Sequence, residues 1–161
     1  MEEKTCFFTG HRNIVKKDYE RICYLTKVIV EMLIQQKGVT NFKIGGARGF
    51  DSIVFLVLLE LKNIYPHIKL ILVLPCKDQN LNWCKKDNEL YYKILENVNE
   101  VIYLQEEYTK DCMLKRNDKL IENSSYCVTF FREHIKRGGT FYTINRAIKK
   151  DIKIYNIFNC L

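Results

Sequence analysis

Apolar positions along the chain alternate between two rhythms: short, unbroken β-prone runs, and longer stretches in which apolar residues recur every three or four positions. The first run, TCFFT at 5–9, is a buried strand closed by Gly10. From 19 to 36, Ile22, Leu25, Ile29, Met32 and Leu33 fall on one helical face, and Gly38 suits the end of that helix. A brief strand at 41–44 stops at Gly45-Gly46, and a very apolar helix follows over 50–63. Residues 69–74 are the best-defined strand; its ILVL core reads as covered on both sides, and Pro75 ends it. The alternation continues with a polar loop at 76–83, a helix at 86–97 and a strand at 101–104. A helix then runs from after Tyr108 to about Asn123, with Met113, Leu114, Asn117, Leu120 and Ile121 making one face. Strand 126–131, helix 138–149 and strand 152–157 complete the pattern.

Strands separated by helix-sized connections pair in parallel, because a parallel pair needs a crossover long enough to return the chain to the same edge. The expected fold class is therefore α/β: a Rossmann-like parallel sheet of about six strands with helices on both faces, formed by one domain over 1–161. The expected strand order is 3-2-1-4-5-6, with the flavodoxin-like 2-1-3-4-5 as the other arrangement the pattern allows. No linker, repeat or low-complexity tract interrupts it.

Composition narrows the class further. At 47% hydrophobic and 28% charged the chain is globular, and its longest nearly apolar stretch, 53–59, is too short to cross a bilayer. The start shows no signal-peptide organisation, so a cytoplasmic protein without a membrane partner is expected. Seven cysteines without a CxxC pair read as reduced, mostly buried thiols, and three scattered histidines give no metal-ligand spacing; no metal is expected. A net charge of +7 favours an anionic partner, yet the lysines are dispersed and no aromatic-basic track follows a strand of nucleic acid, which disfavours a nucleic-acid partner. The apolar helix over 50–61 fits either a subunit contact in a homo-oligomer or burial within the domain.

In an open parallel sheet the carboxyl ends of the strands share one crevice, and the polar and glycine-rich residues gather there. Gly10-His11-Arg12 follow the first strand and Gly45-Gly46-Ala47-Arg48-Gly49-Phe50-Asp51 the second. Pro75 opens the third loop, and Gly138-Gly139-Thr140 follow the fifth strand. Glycines let backbone amides approach a ligand, and a helix start leaves N–H groups free for an anion. The candidate ligand-binding residues are therefore Gly10, His11, Arg12, Gly45, Gly46, Arg48, Gly49, Asp51, Pro75, Gly138, Gly139 and Thr140, joined by Arg116 and Asn117 from the fourth helix. Arg12 and Arg48 suit bidentate bonds to phosphate or surface ion pairs. Asp51 suits a ribose hydroxyl or a helix cap. His11 suits phosphate contact, acid–base work or a structural hydrogen bond. Arg116 and Asn117 fit a cleft or a solvated face, and Trp83 fits base stacking or the anchoring of its loop.

Several familiar chemistries are missing. No GxxxxGK[ST], GxSxG or GxGxxG occurs, which speaks against a Walker-type ATPase, an α/β-hydrolase and an ordinary dinucleotide dehydrogenase. No cofactor is expected and no catalytic residue is assigned.

Five pieces, FFTGHR at 7–12, GGARGFD at 45–51, LVLPC at 72–76 with NWCKKDNELYYKIL at 82–95, LKRNDKLIENSSYCVTFF at 114–131 and KRGGTFYTINRAI at 136–148, span nearly the whole chain. In this order they resemble the SLOG superfamily, the Rossmann-like group that includes LOG and DprA proteins, and in particular its YpsA-like branch. The resemblance implies binding or sensing of a nucleotide or nucleotide-derived molecule at the glycine-rich strand ends. It also implies two alternatives, phosphoribohydrolase activity as in LOG enzymes and single-stranded DNA binding as in DprA. LOG enzymes follow PGGxGT with a catalytic glutamate and use an arginine from the preceding helix. Arg116 matches that arginine, but Tyr142 and Thr143 stand where the glutamate is expected, and neither supplies a carboxylate. Ligand binding without turnover is thus the expectation.

Overall fold

The computed structural model describes residues 3–161. Six strands alternate with five helices: β1 (Lys4–Gly10), α1 (Tyr19–Lys37), β2 (Val39–Ile44), α2 (Phe50–Ile64), β3 (Lys69–Leu74), α3 (Lys85–Asn97), β4 (Glu100–Tyr103), α4 (Cys112–Ile121), β5 (Tyr126–Phe130), α5 (Gly138–Lys149) and β6 (Lys153–Asn156). Short 3-10 turns precede α1 at Lys16–Asp18 and follow β6 at Ile157–Cys160. All five strand pairings are parallel, so the fold is the Rossmann-like α/β sheet that the alternating pattern predicts.

The strand order is β4-β3-β2-β1-β5-β6, which corrects the expected 3-2-1-4-5-6. β4 continues outward past β3 instead of crossing back to β1, and β5 takes the place beside β1. The reason lies in what each strand can cover. β3 carries five consecutive buried residues and needs neighbours on both edges, whereas the four residues of β4 are all at least partly exposed, as an edge strand tolerates. β5, buried from Cys127 to Phe130, supplies the second neighbour that β1 requires.

Steps β1 to β4 all run one way along the sheet, and the return to β5 and β6 runs the other. With right-handed crossovers, α1, α2 and α3 lie on one face, and α4 and α5 on the opposite face. The core divides accordingly. Phe8, Phe42, Phe50, Phe55 and Leu58 pack beneath α1–α3, while Phe7, Ile71, Val73, Leu120, Ile144 and Ala147 pack beneath α4 and α5. Successive residues of β1 thereby serve opposite layers. The apolar helix α2 is consumed by this packing: Phe50, Ile53, Val54, Phe55, Val57, Leu58 and Leu61 are all buried within the chain. No helix among the described residues is long and apolar enough to cross a membrane. The cysteines are unpaired, with Cys6, Cys76, Cys112 and Cys127 buried.

Candidate functional site

β1 and β5 are neighbours whose following helices leave to opposite faces, and between their carboxyl ends the sheet opens into a crevice. A cleft of about 420 Å³ lies there. Gly10, His11 and Arg12 form one wall, Gly138, Gly139 and Thr140 another, and α4 closes the side with Met113, Leu114, Arg116 and Asn117; Ala47 and Asp51 reach it from the loop after β2. A more open groove of about 690 Å³ runs along β6 and α5 over Phe131, Ile144, Ile148 and Ile154, away from the converging strand-end loops.

The start of α5 faces the cleft with its donors unspent. Among the described residues the N–H groups of Gly138, Gly139 and Thr140 have no hydrogen-bond partner, and the residue ahead of them, Arg137, provides no side-chain cap. A helix start in this state carries partial positive charge and favours an anion. The start of α2 differs, because the Phe50 N–H donates to the His11 carbonyl at 3.1 Å and the Ala47 N–H donates to Asp51 Oδ2 at 3.1 Å. The first bond fastens the second loop to the first, and the second ties that loop to its own helix. Gly49, with φ +81°, lies against the backbone of Arg12, a left-handed close approach that no side chain permits.

Within the cleft wall, Arg116 and Asp51 are both buried. Arg116 donates from Nη1 to the Gly45 carbonyl and from Nε to Asn117 Oδ1 at 2.9 Å. Gly45 separates the two charges so tightly that a methyl group there would stand 2.5 Å from Arg116 Nη1 and 3.1 Å from Asp51 Oδ2. Burial pushes the Asp51 carboxyl above its ordinary range, opposed by the Arg116 guanidinium, the Ala47 N–H and Arg12. Burial likewise presses the Arg116 guanidinium below its ordinary value; Asp51 opposes this and Arg12 adds to it. The helix face that carries Arg116 and Asn117 is therefore no solvated surface.

His11 is engaged structurally. Its Nε2 accepts the Arg132 N–H at 2.9 Å, which places the remaining ring proton on Nδ1. Its pKa is lowered, by burial first and then by Arg132 and His134. Gly10 lies directly under the Phe50 ring. Gly45, Gly46, Arg48, Gly49 and Pro75 do not line the cleft. The exposed Arg48 lies over the Trp83 ring at 5.4 Å and 4.0 Å from Asp87, while Trp83 packs edge-on against Tyr91. Both residues thus anchor the long loop after β3. Tyr142 donates to the Asp118 carboxylate at 3.2 Å, and Thr143 Oγ1 donates to the Gly139 carbonyl within its own helix; neither lines the cleft.

Sequence reasoning missed the apolar lining from Met113, Leu114 and Ile135 and the guanidinium of Arg137. The three- and four-residue spacing of Met113, Arg116, Asn117 and Leu120 was the available signal, because one helix face then carries both the apolar and the polar lining.

The family model of YpsA, described as the YspA SLOG family, matches residues 6–159. The chain belongs to this SLOG family. Among curated relatives of this family member, the uncharacterized SPbeta prophage-derived protein YoqJ of Bacillus subtilis is 31% identical over 134 residues, covering 75% of this chain and 77% of YoqJ. The UPF0398 protein YpsA of Bacillus subtilis is 23% identical, with 91% and 86% covered. A UPF0398 protein of Halalkalibacterium halodurans is 25% identical, with 91% and 82% covered. In fold the chain is similar to DNA processing protein A from Helicobacter pylori, solved for its single-stranded DNA binding mode, at a TM-score of 0.63 and 18% identity; the match covers 94% of this chain and 63% of that one, so the chain spans less than two thirds of that protein. It is also similar to the structural-genomics target TM1055, at a TM-score of 0.57 and 14% identity, with 94% and 72% covered.

Proposed function

We propose that this family member binds a nucleotide or nucleotide-derived anion in the cleft between the ends of β1 and β5, with the ligand's phosphate on the start of α5. The observation that carries this reading is the set of three unpaired N–H groups at Gly138, Gly139 and Thr140, opening onto a cleft also lined by Arg12, Arg116 and Arg137. Backbone amides supply directional donors, and the exposed guanidiniums of Arg12 and Arg137 supply charge and bidentate geometry. The apolar side chains of Met113, Leu114 and Ile135 give a flat-sided base a place to lie.

Binding without turnover is the reading the residues support best. Tyr142 and Thr143, at the positions where a hydrolase of the superfamily would carry its glutamate, are committed to Asp118 and Gly139. The test is a thermal-stabilisation screen with nucleoside mono-, di- and triphosphates, followed by product analysis of each compound that binds. Saturable stabilisation with the compound recovered intact is expected. Arg12→Ala, at an exposed position on the cleft wall, weakens binding by about tenfold, the loss of one charge-assisted contact. If no nucleoside phosphate stabilises the protein, the reading fails; release of free base would replace it with hydrolysis.

Single-stranded DNA binding is the second reading. The DNA processing protein neighbour and the net charge of +7 favour it, against the expectation that nucleic acid is not a partner. Affinity for an oligonucleotide that falls steeply with salt, and that mononucleotides do not compete away, would support it over the first.

A further inference from the structure

Asp51 is more than nine-tenths buried, yet only one of its carboxylate oxygens is satisfied. Oδ2 accepts the Ala47 N–H, whereas the buried Oδ1 has no hydrogen-bond partner among the described residues, and Asp51 is one of the residues that line the cleft. A buried acceptor in this state is costly, and a donor from a bound molecule relieves the cost.

The surroundings restrict what that donor is. Three guanidiniums, those of Arg12, Arg116 and Arg137, line the cleft against the single carboxylate of Asp51, so the local field opposes a ligand ammonium and leaves a neutral hydroxyl or N–H. Asp51 and the start of α5 line the same cleft. Arg116 bonds Gly45, which abuts Asp51, and Asn117 on its other side, and Asn117 Nδ2 would lie 3.5 Å from a methyl group at Gly139. One guanidinium and one carboxamide thus connect the wall at Gly45 and Asp51 with the start of α5. With the phosphate on the start of α5, the neutral donors nearest to it in a nucleotide are the sugar hydroxyls, and the base lies beyond the sugar.

We propose that Asp51 Oδ1 accepts a hydrogen bond from a sugar hydroxyl of the phosphorylated ligand, which makes the cleft selective for ribonucleotides over deoxynucleotides. This inference rests on the nucleotide-binding reading and adds to it the identity of the sugar. Arg116 acts as a positioning residue, holding Asn117 and the Gly45 carbonyl in place beside the carboxylate.

The experiment is calorimetric titration of the full chain with the four common nucleoside 5′-monophosphates, with their 2′-deoxy and 3′-deoxy forms, and with inorganic phosphate. The parent ribonucleotide is expected to bind about tenfold more tightly than at least one deoxy form, the loss of one hydrogen bond to a charged acceptor. Asp51→Ala is expected to bring the ribo and deoxy forms within about twofold of each other. If the wild-type protein binds all three sugar forms equally, the inference is overturned and the nucleotide-binding reading stands. If none of the phosphorylated probes binds, both fall. Since the wild-type comparison needs no substitution, a misfolded Asp51→Ala leaves the answer intact.

Discussion

At the scale of single residues, His11 is the side chain with the clearest pH signature. Its lowered pKa means that the folded protein prefers the neutral ring, whose Nε2 accepts the Arg132 N–H. The stabilisation is fully present above the ordinary histidine value of 6.5, and it is lost as the pH falls through the lowered folded value. The melting temperature is therefore expected to drop on acidification below 6.5 more in the wild type than in His11→Asn, and an NMR titration places the His11 ring below the ordinary histidine range. A flat wild-type profile across this interval would refute the assignment. Asp51 and Arg116 show the limit of reading residues singly. Their side-chain chemistry was visible in the sequence, but a helix cap and a ribose ligand fit Asp51 equally well, and a solvated face and a cleft fit Arg116 equally well. Burial excludes the solvated face for Arg116, because it removes water as the competing partner and leaves the charge dependent on a few fixed neighbours, and for Asp51 it adds the Ala47 N–H as the partner of one oxygen.

At the scale of elements, the two glycine-rich loops look alike on paper and behave differently in space. Gly49 and Gly138 both have positive φ, but the backbone of Arg12 blocks any side chain at Gly49, whereas nothing lies within contact distance of one at Gly138. Gly49→Ala is expected to cost roughly 2–4 kcal/mol through combined strain and displacement of the first loop. Gly138→Ala costs only the strain, about 1 kcal/mol; chemical denaturation of the two variants measures the difference. The sequence placed the strands and helices to within a few residues because each has a period and a stop signal of its own. It missed more at the start of α4, expected just after Tyr108 and observed at Cys112, where Thr109 and Asp111 bond to each other's side chains instead of continuing a helix. It read the loops after β2 and β5 as equivalent helix starts, since nothing local distinguishes an amide spent on a distant carbonyl from one left open.

Across the whole molecule, the distribution of thiols gives a direct check on the packing. Cys84 and Cys160 are exposed, while Cys6, Cys76, Cys112 and Cys127 are buried, and burial pushes the Cys76 thiol up to about 12 and that of Cys6 higher still. An alkylating reagent at neutral pH is expected to modify Cys84 and Cys160 in the native protein and to reach the four buried thiols only after unfolding, as mass spectrometry of the digested chain resolves; rapid native labelling of Cys6 or Cys127 would contradict the sheet arrangement. The alternation of strand and helix periods was enough to determine the layered parallel sheet, because each apolar face must be covered and a parallel pair requires a crossover. Strand order needed more: it depends on which edges find neighbours, a competition among all six strands that no single segment encodes. The cleft followed from that order, since only the placement of β5 beside β1 makes the two connections diverge and brings the loops at 10–12 and 138–140 together. The sequence by itself determined which groups are available for an anion, through their types and local turns. The tertiary structure alone decided which of them share a cavity and which are already satisfied, because hydrogen bonds between residues far apart in the chain exist only once the sheet has assembled.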